Sequence, residues 1–272
     1  MPDEREYMET NRAHWDEITP IHVASEFYDV EGFKRNPNRL KSVELEEVGD
    51  VRGKSLLHLQ CHFGMDTLSW ANRGATVTGI DFSAPALDAA SALASELAIP
   101  ATFVQSNIYD LPDVLHDQFD IVFTSYGAIT WLPDLPRWAR VAAHFVRPGG
   151  FFYVAEFHPM MQVLDETARD GVVLRYPYFR SAEPQRFEDP GTYADLTADV
   201  KNRATYNFEY PISDVVNAVI GAGLQIEFLH EFPFCSYKAI PAMVQVSDKD
   251  WRLAVHDGCL PLTFSIKASK PA

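Results

Sequence analysis

Between Ser55 and Ala155 the chain alternates short apolar runs with helical stretches, and this alternation restricts its fold more than any other feature. The runs are Ser55 to Leu59, Ala75 to Ile80, Ala101 to Val104, Phe119 to Phe123 and Gly150 to Ala155. Each is rich in Val, Ile, Phe or Leu and bounded by turn residues, the signature of a buried strand. Helical segments are expected between them at Met65 to Asn72, Ala84 to Leu97 and Leu135 to Val146. Ser83 suits an N-cap with Pro85 in the first turn, and Pro148-Gly149-Gly150 suits a sharp stop. Strands alternating with helices imply βαβ units and a parallel sheet, whose two-faced burial explains runs that are continuously apolar.

Outside this region the pattern changes. The first 50 residues read as helical, with a break at Asn36-Pro37 and a second helix ending near Gly49. Residues 159–210 are richer in Pro, Tyr, Arg and acids and read as an inserted lid or substrate segment, or equally as an ordinary hairpin or an oligomer contact, with strands at Val172 to Phe179 and Ala204 to Phe208. A helix over Ile212 to Ala222 and strands at Leu224 to His230 and Leu260 to Ala268 close the chain. The expected layout is one domain. An N-terminal helical cover spans 1–50, a ligand-binding core 51–158, a lid 159–210, and residues 211–272 complete the same sheet.

Composition narrows the partners. A formal net charge of −15 argues against nucleic acid, because binding phosphates requires a local excess of Lys and Arg. Cys61, Cys235 and Cys259 are odd in number, widely spaced and free of any CxxC pair, so no metal site is expected and reduced cytosolic thiols are. The polar first ten residues do not resemble a signal peptide, and no apolar run approaches the roughly 20 residues of a membrane helix. The expectation is a cytoplasmic protein without a membrane partner, as a monomer or a homodimer.

Four segments end strands where ligands of open α/β sheets sit. The first turn, His58-Leu59-Gln60-Cys61-His62-Phe63-Gly64, leads into a helix whose exposed N–H groups attract an anionic ligand end. It holds one glycine and fails the G-x-G-x-x-G dinucleotide pattern. Asp81 ends the second strand, where a carboxylate can accept from both hydroxyls of a ribose; a helix cap is the other reading. Asn107 can offer an amide oxygen to an adenine or simply form a turn, and Ile108 adds an apolar face. Thr124, Ser125 and Tyr126 emerge from the fourth strand.

Taken together, LLHLQCHFG, VTGIDFS, QSNIYDLP, FDIVFTSYGAITWLPD and VRPGGFFYVAEF resemble the core of class I S-adenosylmethionine-dependent methyltransferases, in the broad group with a methyltransferase type 11 domain. The resemblance covers residues 51 to 156, and LPLTFSIKASK resembles the antiparallel last strand of that fold. It implies a Rossmann-like, doubly wound, seven-stranded sheet, mostly parallel, with helices on both faces. The first motif is a variant, because His58, Gln60 and His62 stand where the family carries an acidic residue and two glycines. Asn107 stands where the family often has Asp.

The resemblance also implies a cofactor, S-adenosyl-L-methionine, leaving as S-adenosyl-L-homocysteine. Its methionine end would lie against Gln60, Cys61, His62 and Gly64, and its ribose on Asp81. Its adenine would sit among Phe82, Asn107 and Ile108, with Thr124, Ser125 and Tyr126 beneath the sulfonium. Trp15 would belong to the covering helix, where it can also serve simple packing; a sulfonium beside Trp15 or Tyr126 gains cation–π attraction. In-line methyl transfer depends on positioning, and an oxygen acceptor also needs a base. The base candidates are His158, after the fifth strand, which can instead contact substrate as a loop histidine, and Glu156, which can instead bond nearby backbone groups; Tyr126, also a catalytic candidate, and Trp131 can form a substrate wall or pack beneath the lid. The expected acceptor is a small molecule. A nicotinamide-dependent oxidoreductase and a non-catalytic cofactor-binding protein are the competing readings, because fold alone does not fix function.

Overall fold

A computed structural model describes residues 4–169, 171–247, 250–256 and 258–271. The chain enters through three helices, α1 (Glu4–Ala24), α2 (Val30–Arg35) and α3 (Ser42–Val48). The alternating region follows as β1 (Ser55–Leu59), α4 (Met65–Asn72), β2 (Thr76–Asp81), α5 (Ala84–Glu96), β3 (Thr102–Gln105), α6 (Leu111–Val114), β4 (Phe119–Ser125), α7 (Leu135–Phe145) and β5 (Val146–Phe157). Then come α8 (Pro159–Gln162), β6 (Gln185–Glu188), β7 (Ala204–Asn207), α9 (Ile212–Gly221), β8 (Gln225–Phe232), β9 (Met243–Gln245), β10 (Trp251–Leu253) and β11 (Thr263–Ser269).

Seven strands form one sheet in the order β3-β2-β1-β4-β5-β11-β8. The pairs among β1 to β5 are parallel, and β11 runs antiparallel to both β5 and β8. This is the Rossmann-like arrangement with one reversed last strand. Chain order reverses between β1 and β4, which opens a crevice beyond the carboxyl ends of those two strands.

Strand periodicity sorts the core into two layers. Leu57 and Leu59 face one layer with Val122, Val154 and Phe264, covered by Trp138 of α7 and Val215 and Val219 of α9. Leu56 faces the other with Ile121, Phe123 and Tyr153, covered by Trp70 of α4 and Val48 of α3. Trp70 and Trp138 are both fully buried, one on each side of the sheet. Burying a side chain of this size contributes roughly 2–3 kcal/mol, so neither layer is dispensable.

The insert departs from expectation in two ways. Val172 to Phe179 forms no strand; its one ladder contact is a single bridge from Leu174 to Leu164, and Leu174 and Phe179 are exposed. The regular unit is instead the antiparallel hairpin β6–β7. Residues after β8 also leave the sheet before β11 returns to it. They build the β9–β10 hairpin, and Cys235, Ile240, Met243 and Leu253 pack against Met161, Val163 and Leu164. The cap therefore draws on two separate stretches of chain. The Pro148-Gly149-Gly150 turn likewise lies inside β5, which starts at Val146, with Gly149 at φ +76°.

Candidate functional site

The turn from β1 into α4 takes an unusual path. Gln60 has φ 56° and His62 φ 50°, both in the left-handed region, where a residue with a Cβ costs about 1–2 kcal/mol. Gly64, at φ 76°, is the position that cannot carry a side chain: a Cβ there would lie 2.9 Å from the Ala90 Cβ and 3.0 Å from the Phe103 ring. The loop is held by contacts that glycines could not make. Gln60 Nε2 donates to the Ala128 carbonyl at 3.0 Å, and its Oε1 accepts from Trp138 Nε1 at 3.1 Å. The Cys61 N–H donates to the Ile80 carbonyl, and the His62 N–H to Asp81 Oδ2, both at 2.8 Å.

Asp81 is the centre of this network. Its second oxygen accepts from the Ser83 N–H at 2.9 Å, while Ser83 caps α5 by accepting from the Ala86 N–H. Burial pushes the Asp81 carboxyl up to about 6; the two N–H donors oppose that and the nearby Asp16 adds to it. Each carboxylate oxygen still has a lone pair available to a ligand.

A polar chain runs beneath the neighbouring strand ends. Ser125 Oγ donates to Asp66 Oδ2 at 2.9 Å, so His58 Nε2, 3.3 Å away, must donate to Ser125. His58 Nδ1 then accepts from Thr67 Oγ1 at 2.8 Å. Burial holds the His58 pKa down at about 4, consistent with this neutral tautomer. Asp66, on the first turn of α4, thus delivers a carboxylate where β1 itself supplies only His58.

These groups border a cavity of about 510 Å³ at the carboxyl edge of the sheet, within the usual range for a small-molecule site. Trp15, Gln60, Cys61, His62, Gly64, Asp81, Phe82, Ile108, Ser125 and Tyr126 all line it. Trp15 sits edge-on to Trp131 at 5.3 Å and to His62 at 5.1 Å. His22 Nδ1 lies 3.1 Å from His62 Nε2, and burial holds both imidazoles neutral, His22 at about 3 and His62 well below its ordinary value. Tyr126 donates its hydroxyl to the buried Glu44 carboxylate at 2.9 Å. Its pKa is raised well above 10 by burial and that neighbouring charge, so it stays protonated.

Four expected residues do not reach the cavity wall: Asn107, Thr124, His158 and Glu156. Asn107 turns its amide oxygen onto the Tyr109 N–H at 3.0 Å, a local turn that uses the acceptor proposed for adenine. Thr124 is fully buried and points to the opposite face of β4 from Ser125, as strand alternation demands. His158 is 2% exposed. Its Nδ1 accepts from the Met160 N–H at 3.0 Å, capping α8, and its Nε2 lies 2.8 Å from Glu231 Oε1. It caps α8 and does not line the cavity. Glu156 is equally committed: it accepts from the backbone N–H groups of Gly127, Ala128, Ile129 and Phe157 and so shapes the loop after β4.

Two lining residues escaped the sequence reading. Asp66 looked like an ordinary acidic residue in a helix first turn. Arg39 lies in the non-periodic segment before α3. Its guanidinium donates to the Phe27 carbonyl at 2.9 Å and stands 5.8 Å from the Tyr28 ring centre. Among the described residues no carboxylate forms an ion pair with it. A cation and a carboxylate thus border one cavity. Among the described residues no group of His, Cys, Asp and Glu is arranged to hold a metal ion.

Residues 56–150 match the methyltransferase domain family. The match spans about a third of the chain. The domain carries the β1 turn, Asp66, Asp81 and the loop after β4, whereas α1, Arg39 and the cap lie outside the matched stretch. The chain is 32% identical over 136 residues to the ubiquinone biosynthesis O-methyltransferase of Photorhabdus laumondii subsp. laumondii, covering 48% of this chain and 56% of that one. It therefore spans little more than half the length of the curated relatives it matches. Among solved structures, an S-adenosylmethionine-dependent methyltransferase from Mesorhizobium loti superposes with TM-score 0.58 at 20% identity, covering 88% of this chain and 99% of that one. A second, from Listeria monocytogenes, gives TM-score 0.57 at 18% identity over 85% and 100% of the two chains. At these identities the likeness establishes the fold. Among the described residues no helix is long and apolar enough to cross a membrane.

Proposed function

We propose that the protein is an S-adenosyl-L-methionine-dependent methyltransferase acting on a small molecule, with S-adenosyl-L-homocysteine as co-product. The observation that carries this reading is Asp81. A buried carboxylate ends β2 at the cavity, with both oxygens oriented by backbone donors and acceptor capacity to spare. Ribose hydroxyls fit that geometry.

The remaining residues suit the rest of such a cofactor. Phe82 and Ile108 offer apolar faces for an adenine. Arg39 suits the amino-acid carboxylate and Asp66 the ammonium, so the acid missing from β1 is replaced from α4. The cofactor supplies a methyl group activated by a positive sulfur. The chain supplies aromatic faces for that charge at Trp15, Trp131 and Tyr126. It also supplies exclusion of water under α1 and the cap. With His158 and Glu156 both committed to backbone, neither is a base, and catalysis rests on positioning. The reading extends to a cytoplasmic enzyme, alone or as a homodimer, without a nucleic-acid partner.

Calorimetric titration with S-adenosylmethionine, S-adenosylhomocysteine and NADH, repeated on Asp81→Ala, tests the proposal. Binding of the first two, lost in the variant, supports it. Binding of NADH alone, or of none of the three, overturns it in favour of an oxidoreductase or an unrelated ligand. Formation of S-adenosylhomocysteine in the presence of small acceptors separates an enzyme from a protein that only binds the cofactor.

A further inference from the structure

The roof of the cavity carries an acid that nothing in the cofactor reading uses. In the β6–β7 hairpin, Gln185 pairs with Asn207, and residues two apart on a strand share a face. Gln185, Phe187, Asn207 and Glu209 all reach the cavity. Glu209 is about nine-tenths buried, at 9% exposure. Apart from its own backbone N–H, its carboxylate finds no hydrogen-bond or ion-pair partner among the described residues. The nearby cation, Arg180, is occupied elsewhere, donating to the Pro133 carbonyl at 2.9 Å and lying over the Tyr210 ring at 4.9 Å. Asn207, on the same wall, has a buried Nδ2 without a partner.

A buried carboxylate with no direct ion-pair partner is costly, and burial raises the Glu209 pKa against the opposing charge of Arg180. Such a group is retained where a ligand completes it. The rest of the roof and walls is apolar or neutral: Phe157, Met161, Leu164, Phe187, Tyr237 and Ile240. The basic side chains on the cavity wall, Arg39 and Lys41, both come from the segment between α2 and α3, and Arg39 is assigned above to the cofactor. The second acid of the cap, Glu166, is by contrast satisfied: it accepts from the Tyr176 hydroxyl at 2.9 Å and pairs with Arg175 at 3.9 Å. The protein's net charge of −15 draws cations toward this opening and repels anions.

We infer that the methyl acceptor is a small organic amine that binds as its ammonium on Glu209, with a ring-sized apolar body against Phe157, Phe187 and Tyr237; for transfer the ammonium gives one proton to the Glu209 carboxylate, and the freed nitrogen lone pair forms the new N–CH3 bond as the methyl–sulfur bond breaks and S-adenosylhomocysteine leaves. This rests on the methyltransferase reading and adds to it the chemical class of the substrate. An acceptor carrying a carboxylate or phosphate at that end would face Glu209 with a like charge, and the nearby Arg180 does not line the cavity.

The test uses three probes of one shape: phenethylamine, phenethyl alcohol and 3-phenylpropanoate. Each is titrated into the full chain saturated with S-adenosylhomocysteine, and the series is repeated on Glu209→Gln. The expected order is amine first, alcohol weaker, and no binding of the acid. The variant should lose about ten- to a hundredfold in amine affinity and leave the alcohol nearly unchanged, the range for one hydrogen bond to a charged group. Retained S-adenosylhomocysteine affinity and an unchanged melting temperature show that the variant is folded. Equal or tighter binding of the acid, or an amine affinity indifferent to Glu209→Gln, overturns the inference. Failure of S-adenosylhomocysteine to bind the unaltered chain is a different result and refutes the cofactor assignment instead.

Discussion

Lowering the pH from 7 to 5 should weaken cofactor binding about tenfold through one group, Asp81. Its carboxyl is pushed from the ordinary 3.8 up to about 6, chiefly by burial. That displacement means the ionised form costs the folded protein roughly 3 kcal/mol. The sign follows from the direction. Folding raises this pKa, so the penalty is present above pH ~6 and fades as the pH falls toward 4. The unliganded protein therefore gains stability from this group on mild acidification. Ligand affinity moves the other way, because ribose hydroxyls donate to the carboxylate and not to the protonated acid. Apparent affinity scales with the competent fraction, about nine-tenths at pH 7 and about one-tenth at pH 5. The neighbouring imidazoles do not confuse the result: His22 titrates at about 3, His58 at about 4, and His62 is held well below its ordinary value. Glu209 is also raised by burial, so the decisive control is Asp81→Asn. Quenching of Trp15 and Trp131, which line the cavity, by S-adenosylhomocysteine gives the assay. An affinity that stays within twofold from pH 7 to pH 5, or the same slope in Asp81→Asn, would refute the placement of Asp81 in the ligand site.

Three further perturbations follow from the geometry. Gly64→Ala forces a Cβ within about 3 Å of Ala90 and Phe103 at a positive φ; denaturant melts should show a loss of about 2–4 kcal/mol, with cofactor affinity falling in parallel. Glu156→Gln places an amide among four backbone donors, so the midpoint of urea unfolding should drop by the equivalent of about 3 kcal/mol, and a neutral effect would mean that the loop after β4 is held by something else. His158→Ala should cost about 1 kcal/mol as a lost cap and leave the rate of methyl transfer nearly unchanged. A thousandfold fall in rate in a stably folded His158→Ala protein would restore it as a base.

The parts of the molecule readable from sequence were those governed by periodicity and strand-end position. The runs from Ser55 to Phe123 fell within two residues of β1 to β4, whereas β5 begins four residues before its run, and Asp81, Gln60 and Ile108, which the strand-end rule singled out, line the cavity. Thr124 illustrates a limit that alternation itself imposes: consecutive strand residues cannot both face one cavity, and Ser125 took the place. Asn107 and His158 stand off the cavity wall for another reason. Both side chains had a backbone N–H two residues on within reach, and that local bond outcompeted a distant ligand. Arg39, Asp66 and Glu209 carried no local signal. Their meaning comes from missing partners and shared walls, which exist only after the cap, assembled from two separate chain segments, has closed over the sheet.

The side chains in the β1 turn have a mechanical consequence. A loop of glycines can flex without disturbing what surrounds it. Here Gln60 ties the loop to the Ala128 carbonyl and to Trp138, while His62 is wedged among Trp15, Tyr28 and His22. The loop, the covering helix and the strand-four loop are thus geared together. Opening one to let a spent nucleoside leave requires unseating rings in the others, so the release of product, rather than the chemical step, is where such a molecule would set its pace.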